Sequence, residues 1–163
     1  MVVTEEKILK LLDNVSDPEI PALSIADMGI LRRVKIVDDQ VIVTVTPTYS
    51  GCPAMYEIRR RIVEELKENG IVGVKIDTVL SPAWTTDWMS EDAKQRLKES
   101  GIAPPTKTTE FSLDNIINQK DFVPCPFCDS ENTELRAEFS ATACKSLYYC
   151  NNCLQPYEHF KCH

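Results

Sequence analysis

Cys125-Pro126-Phe127-Cys128 and Cys150-Asn151-Asn152-Cys153 are two CxxC pairs with 21 residues between them. Each pair can wrap one metal ion through a tight turn, and two pairs complete a tetrahedral thiolate shell. The spacing assigns Cys125, Cys128, Cys150 and Cys153 to one structural ion, with zinc the expected metal. Asp129-Ser130 follows the first pair, where a glycine would turn more easily. Cys144, His159, Cys162 and His163 remain. On ligand count they are spare, given to packing or a frayed tail; an iron–sulfur cluster or a second ion is the alternative.

The seventh cysteine stands apart. Thr46-Pro47-Thr48-Tyr49-Ser50-Gly51-Cys52-Pro53 ends a β-rich run and opens an amphipathic helix. Pro53 suits the first helical position, which makes Cys52 the N-cap or its neighbour. A thiol there faces unpaired backbone N–H groups and the positive end of the helix dipole. Both favour the thiolate, which binds metal or attacks an electrophile. The alternative is a small buried cysteine filling a gap. His159 and His163 are the only histidines, so a nucleophilic enzyme built on Cys52 has no histidine base in its own half of the chain.

The totals narrow the class. The chain has 163 residues, 43% of them hydrophobic, and a net charge of -7. That balance argues against nucleic acid or an anionic membrane as partner. No apolar run reaches the roughly 20 residues that span a bilayer. The N-terminal Met1-Val2-Val3-Thr4-Glu5-Glu6-Lys7 lacks a basic region followed by an apolar core, so the expected location is cytoplasmic. In a reducing compartment six cysteines within the last 39 residues read as a metal module rather than a disulfide set.

Elements that position these groups follow from periodicity. Thr4 caps a helix carrying Ile8, Leu11, Leu12 and Val15 on one face, which stops before Asp17-Pro18. The loop from Asp17 to Gly29 holds Asp17 and Asp27, and capping a turn is the structural reading of both. Ile30–Val37 and Val41–Thr46 alternate as a hairpin around Asp38-Asp39-Gln40, with Arg32 on the face of Val34. The helix after Cys52 points Met55, Ile58, Ile62, Val63 and Leu66 at a core, and glutamates balance Arg59, Arg60 and Arg61. Val72–Leu80 is a third strand, parallel to the second through a right-handed crossover. Trp84 and Trp88 anchor the next loop, and Ser90 starts a last helix that Gly101 ends.

The fold class is α+β: a small mixed three-stranded sheet with helices in the order α-β-β-α-β-α, followed by a C-terminal zinc ribbon. The expected division is 1–103 for the first domain, 104–122 for a linker with an apolar patch (Phe111, Leu113, Ile116, Ile117), and 123–163 for the ribbon. Within the ribbon, 134–139 and 145–149 are the expected strands.

Asp17-Pro18-Glu19-Ile20-Pro21, Ser24-Ile25-Ala26-Asp27-Met28-Gly29-Ile30, the Thr48-to-Pro53 element and Ser81-Pro82-Ala83-Trp84 together resemble the SufT-type iron–sulfur assembly family, over about residues 4–103. The Ser140-Ala141-Thr142-Ala143-Cys144-Lys145 run and the ending Glu158-His159-Phe160-Lys161-Cys162-His163 resemble the PaaD family of bacterial phenylacetate degradation. The resemblance implies a cytoplasmic accessory or maturation protein rather than a catalyst. Such a protein supplies metal centres to the multicomponent oxygenase that epoxidises phenylacetyl-CoA, with that system's oxygenase or reductase subunits as partners. Self-association into a homodimer stays open. It gives Cys52 the role of ligand in cluster or sulfur transfer, including a transient iron–sulfur cluster, and Asp17 a supporting acidic role. A non-catalytic structural subunit of the oxygenase is the second reading.

Overall fold

The computed structural model describes residues 3–105 and 123–161. The chain divides into two compact units, Met1–Ala93 and Lys94–His163.

In the first unit Thr4 caps helix α1 (Glu5–Leu12), its hydroxyl accepting the Lys7 N–H at 3.3 Å. Ile8 and Leu12 are fully buried, and Val15 is buried beyond the helix end. Strands β1 (Leu31–Val37) and β2 (Gln40–Val45) pair antiparallel with Val37 opposite Gln40, so the turn is Asp38-Asp39 alone. Both aspartates are left-handed, φ 48° and 62°, which a two-residue hairpin turn requires if it is to match the strand twist.

One residue departs from plain alternation. Leu31 faces Val45 and Arg33 faces Thr44, so Arg32 is an extra residue in a β-bulge. The bulge takes it off the Val34 face. Its guanidinium lies over the Trp88 ring instead, 3.6 Å from the centroid.

Helix α2 (Ala54–Glu68) buries Ala54, Ile58, Ile62 and Leu66. Val63, expected in the core, is 40% exposed, because it lies about 100° round the helix from Ile62. Strand β3 (Val74–Thr78) runs parallel to β2, giving the order β1-β2-β3. Val34, Val41, Val43 and Val45 form the buried side of this sheet.

Both tryptophans anchor the loop before β1. Trp84 is buried, and its indole N–H donates to the Met28 carbonyl at 2.8 Å. Gly29, at φ 70°, lies so close to Trp88 that a Cβ there would stand 2.7 Å from the Trp88 Cβ. Gly29→Ala is therefore expected to lower stability by about 2 kcal/mol, combining left-handed strain with overpacking. Thermal unfolding followed by tryptophan emission checks this, and an unchanged midpoint would contradict the packing described. Helix α3 (Glu91–Glu99), capped by the Ser90 hydroxyl on the Ala93 N–H, crosses the division between the units.

The second unit holds β4 (Ile102–Ala103), β5 (Thr133–Ala137), β6 (Lys145–Cys150) and β7 (Pro156–Phe160) in the order β4-β7-β6-β5. β5, β6 and β7 are antiparallel neighbours, while β4 lies parallel to β7. The expected ribbon thus gains two strands. One follows the second CxxC pair and places His159 in a strand rather than a frayed tail. The other comes from residues that the sequence puts at the end of the first domain. Ala103, Val123, Tyr148 and Tyr157 form a core with Cys125 and Cys150, and the two tyrosine rings stack at 5.8 Å. Phe111, Leu113, Ile116, Ile117, Cys162 and His163 lie outside the described residues. Among the described residues, no helix is long and apolar enough to cross a membrane.

Candidate metal centre and the Cys52 junction

The two CxxC pairs fold into matching turns. In the first, the Cys125 N–H donates to the Ser130 carbonyl at 3.0 Å, and the Asp129 N–H donates to the Cys125 carbonyl at 2.9 Å. In the second, the Cys150 N–H donates to the Gln155 carbonyl at 2.9 Å and the Leu154 N–H to the Cys150 carbonyl at 3.0 Å. The fifth residue of each turn is left-handed: Asp129 at φ 56° and Leu154 at φ 60°. A glycine would be easiest there, but aspartate tolerates this region through its short polar side chain. Leu154 has no such excuse, and it is the residue no sequence rule would place there.

These turns bring the four thiols together. The Sγ atoms of Cys125, Cys128, Cys150 and Cys153 all lie within 4.8 Å of one another. Cys125–Cys153 and Cys128–Cys150 are each 3.6 Å apart. A tetrahedral shell with metal–sulfur bonds of about 2.3 Å has sulfurs about 3.8 Å apart, so the four residues fit a single thiolate-bound ion. A multi-iron cluster would spread its thiolates over separate irons and hold them further apart. The Asn152 side-chain amide donates to the Cys128 Sγ at 3.6 Å, and the Cys153 N–H donates to the Cys150 Sγ at 3.5 Å.

The thiols differ in acidity. The Asn152 amide, helped by the Ser130 backbone N–H, brings Cys128 down to about 6. Burial pushes Cys125 up, and burial with the Cys150 thiol beside it pushes Cys153 up to about 12. Crowded thiols cannot all ionise unaided. A cation among them removes that opposition, which is the chemistry a structural metal supplies.

Cys144 is outside this group. It is buried at the start of β6, with the Thr142 hydroxyl 3.1 Å from its Sγ. Cys150 of the cluster lies at the far end of β6, five residues intervening, roughly 20 Å of extended chain away. Its neighbours form a polar network that the sequence did not reveal. Lys145 is 4% exposed and its ammonium reaches Glu158 at 2.7 Å, while the Ser140 hydroxyl donates to the same carboxylate. Ser146 and His159 face each other across β6 and β7, Oγ to Nδ1 3.4 Å.

Burial alone would raise the Glu158 carboxyl; the hydrogen bonds from Lys145 and Ser140 overcome it and hold the group below its usual value. The folded-state pKa being depressed, its stabilisation is present above the ordinary glutamate range near 4.3 and is lost as pH falls through the folded value. Glu158→Gln should destabilise the ribbon by about 3 kcal/mol, because it leaves the Lys145 charge buried without a counter-charge. Guanidinium unfolding of the metal-loaded chain, followed by tyrosine circular dichroism, measures it.

At the other candidate site, the helix N-cap is Pro53, and Cys52 is the residue before it. The Cys52 N–H donates to the Tyr49 carbonyl and its own carbonyl accepts the Met55 N–H, both at 3.2 Å. Its side chain is half-buried. Gly51, left-handed at φ 84°, has open space where a Cβ would sit, so the loop is uncrowded on that side.

Asp17 is 5% exposed, and its Oδ1 accepts the N–H groups of Glu19 at 2.8 Å and Ile20 at 2.9 Å. That is loop capping. Asp27 does the same for Ser24, whose N–H and hydroxyl both donate to its Oδ2 while the Ser24 hydroxyl accepts the Asp27 N–H. The Asp17 loop is tied to α2 through Arg61, which bonds the Ser16 carbonyl at 3.2 Å and Glu57 at 2.9 Å. Arg60 and Arg61 together hold the Glu57 carboxyl down to about 2. Arg59 in turn donates to the Ile76 carbonyl of β3 at 3.3 Å, so the arginine run is a largely charge-balanced face with two members that position neighbouring elements.

Comparison with known proteins agrees with both halves. Residues 5–80 match the model of iron–sulfur cluster assembly proteins, and residues 112–161 match the PaaD zinc beta ribbon domain. Two bacterial proteins named Fe-S protein maturation auxiliary factors are similar. The one from Porphyromonas gingivalis is 43% identical over 58% of this chain and 90% of its own length; the one from Staphylococcus aureus is 37% identical over 49% and 92%. A crystal structure of a domain of unknown function from Bacillus anthracis superposes with a TM-score of 0.54 at 28% identity, covering 57% of this chain and 90% of that one. A conserved hypothetical protein from Thermotoga maritima gives 0.50 at 30%, covering 58% and 94%.

Fold, site and matches define an iron–sulfur-assembly-type domain joined to a zinc-ribbon domain. Across nearly the whole length, 96% of this chain and 92% of the relative, the sequence is 43% identical to an Escherichia coli (strain K12) protein whose name makes it one of the subunits of a 1,2-phenylacetyl-CoA epoxidase. The chain belongs to the PaaD family.

Proposed function

We propose that this protein is a metal-centre or iron–sulfur cluster assembly factor for a phenylacetyl-CoA epoxidase system. The observation that carries the reading is the combination in one chain of two relationships. The assembly-type portion is similar to maturation factors that consist of little else, and the full length is similar to a protein named as an epoxidase subunit. On this reading the first domain handles the metal cargo and the ribbon addresses it to the oxygenase or reductase subunits.

Zinc held by Cys125, Cys128, Cys150 and Cys153 would staple a ribbon whose core is too small to stand alone. Cys52 would give up its thiol proton and bind iron of a cluster in transit, in a half-buried loop open enough for a partner to approach. Asp17 would support it by fixing the upstream loop.

The name of the Escherichia coli relative favours a second reading, a non-catalytic structural subunit. Deleting the gene and purifying the epoxidase separates the two. An assembly factor leaves a complex poor in metal that becomes active once metallated by other means, without this chain. A structural subunit leaves metallated components that stay inactive until the chain is added stoichiometrically. Full metal content and activity in the deletion strain would overturn both.

A further inference from the structure

The side of the β1-β2-β3 sheet opposite its buried valines carries a charge that contradicts the rest of the chain. Register places Arg33, Thr44 and Asp77 in one row and Lys35, Ile42 and Lys75 in the next. Arg33 and Lys35 are exposed, and the Lys75 and Asp77 side chains are 55% and 41% exposed, paired at 3.0 Å. Adjacent strands are about 4.8 Å apart, so Lys35 and Lys75 flank Ile42 at about 10 Å from each other, with Arg33 about 7 Å along the strand from Lys35. Among the strand residues of this face three cations thus meet one carboxylate, with Asp38 and Asp39 at the turn beyond, on a chain whose net charge is -7.

A solvated sheet face is ordinarily polar, but it has no reason to reverse the sign of the molecule. The face is not purely solvating either. Val37, on the same side, is 47% exposed, and Ile42 is only half-buried, giving an apolar strip that runs between Lys35 and Lys75 toward the Asp38-Asp39 turn. That is the composition of a docking surface: a desolvatable centre with a charged edge that selects and steers the partner.

We infer that this face docks an acidic surface of a protein partner, with Arg33, Lys35 and Lys75 supplying the selectivity. An acidic protein would otherwise be repelled by this chain, and the local reversal of sign turns repulsion into orientation. The bulge at Arg32 fits this arrangement: it takes that arginine out of the alternation and onto Trp88, leaving Arg33 and Lys35 in register on the open side.

The inference rests on the proposed partnership with the epoxidase system, and its test uses the purified epoxidase complex of the same host as the probe. The variant Arg33→Glu/Lys35→Glu/Lys75→Glu is compared with wild type and with Lys7→Glu/Lys10→Glu/Lys67→Glu, which makes the same charge change on the helices of the same unit. Thermal unfolding of all three confirms folding. Binding by the face variant is expected to weaken about tenfold or more at 50 mM salt, with the gap narrowing at 500 mM as screening removes the steering. The control variant should weaken far less. Equal binding by wild type and face variant overturns the face and leaves the partnership standing. Wild-type protein that does not bind the complex overturns the partnership and this assignment together. Loss, on charge reversal, of binding to phosphatidylserine vesicles or single-stranded DNA, with binding to the complex intact, overturns the protein partner in favour of that ligand.

Discussion

Removing the metal from the four-thiolate centre is expected to unfold the second unit while the first stays folded. Structural zinc binding in comparable small modules amounts to roughly 10–16 kcal/mol at neutral pH, more than the total stability of an ordinary domain. Here the metal-free alternative is poor. Cys125 and Cys150 are fully buried beside Ala103, Val123, Tyr148 and Tyr157, so losing the ion opens the middle of this core cluster. The aromatic residues make the two units separately observable. Trp84 and Trp88 belong to the first unit with Tyr49 and Tyr56, while Tyr148, Tyr149 and Tyr157 belong to the second, which has no tryptophan. A strong chelator should reduce the tyrosine circular dichroism to the part that Tyr49 and Tyr56 contribute and open residues 123–161 to protease, with tryptophan emission unchanged. Cys150→Ser should do the same without chelator and reduce bound metal from about one ion per chain to none. Protease resistance that survives complete metal removal would falsify the staple, and substantial iron and sulfide in anaerobically purified protein would replace zinc with a cluster.

The clustering of the four cysteines could be read from sequence because ligand chemistry is discrete. CxxC is short, local and rare, and its geometry hardly depends on the surroundings. The first domain was legible for a related reason: Ile8 and Leu12, Val41, Val43 and Val45, and Ile58, Ile62 and Leu66 repeat at the period of their element. What escaped depends on non-local pairing. β4 is two residues long and exists only because Ile102 and Ala103 find Glu158 and His159. Its partner β7 buries Tyr157 on one face and Phe160 on the other, so it lacks the alternation that marks a half-exposed strand. The bulge at Arg32 leaves no trace in composition, and it moved that arginine from the core side to Trp88. Leucine at 154 in a left-handed turn runs against residue preference altogether, and only the matching turn at Asp129 explains its backbone.

Cys52→Ser is expected to leave the fold intact and to abolish support of the client's metal content. The backbone of Cys52 closes the turn into α2 through its N–H and carbonyl, and serine keeps both. Its half-buried side chain fills no core position, so stability should change by less than about 0.5 kcal/mol. In a strain lacking the wild-type gene, epoxidase purified from cells carrying Cys52→Ser should hold no more metal than epoxidase from cells carrying none. Full restoration would return Cys52 to the role of a packing residue. Asp17 calls for a paired test, since its carboxylate caps its own loop through the N–H groups of Glu19 and Ile20. Asp17→Ala removes both acceptor bonds in a buried position and should lower stability by about 1–2 kcal/mol. Asp17→Asn keeps a side-chain oxygen for the same two donors and deletes only the charge. If Asp17 is a positioning residue, Asp17→Asn recovers both the unfolding midpoint and the client's metal content. If its charge acts on the cargo at Cys52, Asp17→Asn recovers the midpoint alone and client metal stays at the Cys52→Ser level.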